Sequence, residues 1–109
     1  VTLNRGQAKV LTLGVQNVGS QELFFKLYLE FDLENSDPGS EAFDLRYEKG
    51  CRSLLPADAD VLGINARAPR TPGTFALRAD LLRFTDSTCS TPEPLQAKYA
   101  SKLSFVTVG

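Results

Sequence analysis

Gln21-Glu22-Leu23-Phe24-Phe25-Lys26-Leu27-Tyr28-Leu29-Glu30-Phe31-Asp32-Leu33 sets an apolar side chain at every odd position from Leu23 to Leu33, while Glu22, Lys26, Tyr28, Glu30 and Asp32 fall between them. A period of two matches a β-strand, whose successive side chains point to opposite faces. The stretch therefore predicts one long strand over Gln21–Leu33 with the odd positions inward. Upstream, Ala8 to Asn17 repeats the rule, with Leu11, Leu13 and Val15 on one side and Thr12, Gly14 and Gln16 on the other. Asn17-Val18-Gly19-Ser20 joins the two strands either as a tight turn or as a crossover to a second sheet.

Downstream, Glu34 to Glu41 is polar and holds an Asp37-Pro38-Gly39 core that interrupts regular structure. Phe43, Leu45 and Tyr47 mark a short strand ending at Gly50 and Cys51, and Leu54-Leu55-Pro56-Ala57-Asp58 reads as a turn. Leu62, Ile64, Ala66 and Ala68 form one face of the next strand, which Pro69, Pro72 and Gly73 close. Thr74 to Phe84 then turns Phe75, Leu77, Ala79 and Leu81 inward and Thr74, Arg78 and Asp80 outward. Thr85 to Gln96 is a second long loop, and a final strand over Lys98 to Val108 carries Leu103 and Phe105. No sustained 3.6-residue apolar stripe appears, although Leu95 to Leu103 has room for a helical turn. The expected fold is all-β: a two-sheet antiparallel sandwich of about seven strands, in a single domain spanning residues 1–109.

Composition narrows the function. The chain has 109 residues, no His and a formal net charge of −1. Imidazole-based catalysis and His-containing metal sites are excluded. Near-neutrality and scattered cations argue against nucleic acid as a partner. No apolar run reaches the roughly 18 residues of a membrane helix, so no direct membrane insertion of this chain is expected. The chain starts at Val1 without Met, which suggests a mature product or an excised fragment. Two cysteines, Cys51 and Cys89, sit in turn-rich sequence outside any C-x-x-C pair. Their even number and loop contexts predict a disulfide contributing about 4 kcal/mol by chain entropy, with two buried thiols as the alternative. A bridge implies an extracellular or cell-envelope location, or the cytoplasm of a hyperthermophile.

Arg5-Gly6, the strand running to Asn17-Val18-Gly19, Leu55-Pro56-Ala57-Asp58-Ala59 and Ala68-Pro69 with Pro72-Gly73-Thr74-Phe75 together resemble immunoglobulin-like modules of prokaryotic envelope proteins. Ala57 departs from that pattern, standing where Gly is usual. The resemblance implies a sandwich used for adhesion, as a spacer or as a subunit of a pilus-like surface assembly, without catalysis or cofactor.

Three sets of candidate site residues follow. Asp32, Glu34, Asp37 and Glu41 place hard oxygen ligands on a turn-rich segment that suits either calcium or plain solvation, though the spacing fails the EF-hand pattern. Phe24 and Tyr28 share the polar face of the long strand, where they stack on a sugar or partner or lie beneath a loop, with Tyr99 joining either arrangement. The absence of Trp disfavours carbohydrate. Val1, Thr2, Leu3, Phe105, Val106 and Val108 are terminal and β-prone, hence candidate edge or donor strands that either recruit another chain or pair within the domain. The expected function is a non-enzymatic structural or protein-interaction module of a cell-surface assembly, working through edge strands or a sheet face. A small carbohydrate- or calcium-binding module is the alternative. The strand assignment has a direct test: Phe25→Asp or Leu27→Asp puts an unpaired charge in the core and abolishes the cooperative thermal transition, whereas an unchanged melt means the faces are reversed.

Overall fold

The computed structural model describes residues 1–92 and 100–109. Its strands are β1 (Thr2–Leu3), β2 (Ala8–Gln16), β3 (Leu23–Asp32), β4 (Asp44–Tyr47), β5 (Arg52–Leu54), β6 (Ala59–Arg67), β7 (Gly73–Phe84) and β8 (Ala100–Val108). They form a five-stranded sheet, β1-β8-β7-β3-β5, and a three-stranded sheet, β2-β6-β4. Every pairing is antiparallel except that of β1 with β8. The protein is thus an all-β, immunoglobulin-like sandwich. The two strands that the alternation did not delineate are the shortest: β1 has two residues, and β5 has three within the stretch leading to the Pro56 turn.

The alternation places the core as expected. Leu23, Phe25, Leu27 and Leu29 of β3 are buried and face Leu62, Ile64 and Ala66 of β6 across the interior, with Phe75, Leu77 and Leu81 of β7 beside them. Phe31, Phe43 and Phe75 form an aromatic cluster at one end, with Phe43 and Phe75 centroids 5.1 Å apart and edge-on. At the other end Asn17, 2% exposed, makes the crossover between sheets. Its side-chain nitrogen donates to the carbonyls of Gln21 and Leu54, and its oxygen accepts from the Gly19 N–H. A buried amide so fully engaged fixes the path from β2 to β3, so the Asn17–Ser20 segment is a crossover and not a hairpin.

The structure corrects or sharpens the sequence reading at four points. Leu33 is 74% exposed, because β3 stops at Asp32. The Asp32 carboxylate accepts from the Glu34 N–H and the Asn35 amide, which winds residues 33–35 into a 3-10 turn leaving the sheet. Asp80 points to the outer face, yet is only 3% exposed: the Ser101 hydroxyl and Arg78 both donate to it. Leu103 and Phe105 lie on the exterior of β8, and Val106 and Val108 supply its buried face. β2 and β3, adjacent in sequence, pair with β6 and with β7 and β5 and never with each other. Tyr99, residues 93–96 of the second loop, Lys98 as a strand start and residues 95–99 of the candidate helical turn lie outside the described residues.

Cys51 and Cys89 form a disulfide with a Cα–Cα distance of 5.5 Å, joining the β4–β5 connection to the loop after β7. Asp86 organises that loop by accepting from the Thr88 hydroxyl and the N–H groups of Ser90 and Thr91, and the Thr88 hydrogen bond foremost holds its carboxyl below the usual range. Ala57, the departure noted above, adopts φ +69° in the turn before β6. A β-carbon is strained in that left-handed region. Ala57→Gly should therefore raise stability by about 1 kcal/mol, read as a higher urea midpoint at unchanged slope; a lower midpoint contradicts the strain.

Candidate strand-docking groove

Backbone hydrogen bonding in β2 determines what this side of the molecule offers. The Ala68 N–H donates to the Gln7 carbonyl, and the Asn17 N–H donates to the Asp58 carbonyl, so both ends of the strand spend odd-numbered groups on β6. The register between them is continuous, from Ala8 opposite Arg67 to Gln16 opposite Ala59. Alternation then turns the N–H and C=O groups of Ala8, Val10, Thr12, Gly14 and Gln16 to the other side. Among the described residues no strand pairs there. Among the described residues β2 is thus a nine-residue free edge, without proline and with one charge, Lys9.

A second free edge lies across the sandwich. β1 covers only the end of β8: the Thr107 N–H donates to the Val1 carbonyl and the Gly109 N–H to that of Leu3. The same alternation leaves Ser101 and Leu103 with outward backbone groups. The chain changes sheets between the two edges, since Leu3 is buried beside β8 and the Asn4–Gln7 turn delivers the chain to β2. Between β2 and β8 lies an open groove of about 470 Å³. Leu11 and Leu13 form one wall, Ser104 and Val106 the other, and Leu29, Ile64, Leu77 and Ala79 contribute to its floor. A smaller recess lined by Val15, Leu81 and Ser101 shares Leu13, Ala79 and Lys102 with it, continuing the groove along β2. Leu11, Leu13 and Ala79 stay half-buried although they face the core, because nothing described covers this side.

The candidate residues from sequence fall elsewhere or differently. Thr2 and Leu3 make up β1 and pair with β8 itself, Thr2 opposite Thr107 and Leu3 opposite Val108, with Val1 just before the strand. Val106 and Val108 are core, while Val1 and Phe105 sit at the mouth of the groove. Phe24 and Tyr28 share the outer face of β3 with Lys26 between them; Phe24 is half-buried opposite Phe84, and Tyr28 is half-exposed opposite Asp80. Asp32 and Asp37 use their carboxylates on N–H groups, including the Asp37 bond to Thr74, and Glu34 and Glu41 are exposed. Among the described residues no three acidic, Cys or His side chains gather around a metal-sized site. The free edge of β2 was not legible from sequence, since nothing in Ala8–Gln16 states on how many sides it is paired.

Solved structures share this fold. The fold is that of the MSP and PapD-like β-sandwiches. SSP-19, an MSP-domain protein-like family member of Caenorhabditis elegans, superposes with a TM-score of 0.57 at 10% identity, over 98% of this chain and 91% of that one. WR4, an MSP family member of C. elegans, gives 0.53 at 14% identity over 99% and 92% of the two chains. The ASH/PapD-like domain 7 of human CEP192 gives 0.54 at 13% identity over 98% and 78%. The likeness holds for the immunoglobulin-like sandwich, and these three neighbours are nematode and human domains instead of prokaryotic envelope proteins. No protein-family model and no curated protein sequence matches the chain.

The edge assignment predicts an alternating amide-exchange pattern. Val10, Thr12, Gly14 and Gln16 should exchange quickly and Leu11, Leu13 and Val15 slowly; uniform protection along β2 would mean that its outer side is already paired.

Proposed function

We propose that the chain is a non-enzymatic protein-interaction module that accepts an extended segment of a partner by strand addition along β2. The observation that carries this reading is the unpaired β2 edge beside an open apolar groove. An incoming strand satisfies the outward N–H and C=O groups of Val10, Thr12 and Gly14 while its alternate side chains cover Leu11, Leu13 and Ala79. Each backbone hydrogen bond adds about 1 kcal/mol, and burial of the half-exposed leucines adds more. The MSP and PapD-like fold supports a protein-interaction role. The Cys51–Cys89 disulfide supports placement in an oxidising, extracellular or cell-envelope setting, where the module works as a subunit of a surface assembly.

Proline tests the reading cleanly. The Thr12 N–H faces the open edge, so Thr12→Pro removes no bond of the domain itself but blocks a partner strand. Nonapeptides selected by display against the wild-type domain should bind Thr12→Pro at least about tenfold more weakly, with circular dichroism unchanged; Val10→Pro serves if Thr12→Pro does not fold. Equal binding to both forms rules out strand addition at β2.

A further inference from the structure

We infer that the loop after β7 is an O-glycosylation site, with Thr91 as the first acceptor and Ser87 as the second; this rests on the oxidising, extracellular or cell-envelope setting proposed above. Thr85, Ser87, Thr88, Ser90 and Thr91 put five hydroxyls into seven residues, all five residues are exposed, and Pro92 follows. Ser and Thr gathered beside proline have the composition of O-glycosylated segments. The loop that carries them is anchored. Its base is closed by the Thr85 N–H, which donates to the Thr91 carbonyl, and by a bridge between Phe84 and Pro92. Cys89 is buried and pins the middle of the loop through the disulfide to Cys51.

Hydrogen bonding sorts the five hydroxyls. That of Thr85 donates to the Thr91 carbonyl, that of Thr88 donates to Asp86, and that of Ser90 lies 2.8 Å from the Thr88 hydroxyl. Among the described residues the hydroxyls of Ser87 and Thr91 have no such partner, so a transferase seats either one without breaking a bond of the domain. Pro92 holds Thr91 in the extended region, which suits an acceptor laid across an enzyme's cleft. In the transfer, Thr91 Oγ1 bonds to the anomeric carbon of a nucleoside-diphosphate sugar, the bond from that carbon to the diphosphate breaks, and a base of the transferase takes the hydroxyl proton. Charge favours a sugar over a phosphate. Asp86 accepts from the N–H groups of Ser90 and Thr91, so a phosphate on Thr91 sets negative charge beside a carboxylate whose nearest donors are engaged, whereas a neutral sugar adds none. Thr71-Pro72 repeats the dipeptide in another exposed turn, but with no second hydroxyl within two residues. No residue from Thr85 to Thr91 lines the groove beside β2, so a glycan on this loop leaves that edge open.

The test incubates the folded, oxidised chain with UDP-N-acetylgalactosamine and a polypeptide N-acetylgalactosaminyltransferase, and in parallel with ATP and a proline-directed kinase. Intact mass should rise by one or two N-acetylhexosamine units, which fragmentation of the peptide backbone places on Thr91 and then Ser87. Thr91→Ala should lose the first unit and Ser87→Ala the second, both with unchanged circular dichroism, while Thr71→Ala should lose neither; Thr91→Val replaces Thr91→Ala if that variant does not fold. The glycosylated chain should bind β2-directed peptides as tightly as the bare one. A chain with its disulfide intact that takes up no sugar overturns the inference and leaves the proposed function standing. Sugar placed first on Thr71, Thr88 or Ser90 overturns the choice of acceptors, and phosphate on Thr91 without sugar overturns the chemistry. Two titratable thiols in protein isolated without reductant overturn the oxidising setting and the inference that rests on it.

Discussion

A strand inside a sheet has hydrogen-bond partners on two sides, and among the described residues β2 has them on one. Its register on β6 is continuous and free of bulges, which gives that side regular bonding and turns every even-numbered backbone group of the strand outward. The half-burial of Leu11, Leu13 and Ala79, the groove between the sheets and the reach of Lys9 and Lys102 into it all follow from this one-sided pairing. A fully paired β2 would hide those side chains and leave no docking surface.

The sheet change at the start of the chain creates that condition. Leu3 is drawn into the core beside β8, and the turn at Asn4–Gln7 carries the chain across to β2. β1 therefore covers a short length of one edge and none of the other. At the opposite end, the buried Asn17 amide ties the crossover from β2 to β3 to the carbonyl of Leu54, while the disulfide holds the connections at β5 and after β7. The groove is thus flanked by well-anchored elements, which favours a partner that adapts to the domain over a domain that remodels itself.

Much of the fold could be read from residue patterns. Leu23 to Phe31 and Leu62 to Ala68 fell on the faces their alternation indicated, because a period of two has only one solution when one side must leave water. Ala57 was visible as a departure and proved to occupy a left-handed turn position. Other residues escaped the pattern. Leu33 alternates correctly, but the Asp32 carboxylate ends the strand first; Leu103 and Phe105 are the larger apolar residues of their strand, yet the register on β7 sends the valines inward. Asp80 looks like a solvent-facing charge until its cross-strand neighbours cover it.

The sequence by itself determined that the chain is a two-layer β structure, which strands carry the core, and that histidine-dependent chemistry is absent, since these depend on residue identity and spacing alone. Only the tertiary structure decided which strand edges remain open. Each backbone carries the same N–H and C=O groups whatever its side chains, so Ala8–Gln16 reads the same whether flanked on one side or two. The pairing of β1 with β8 and of β6 with β2, made by segments distant in sequence, settles which of those groups are left for a partner.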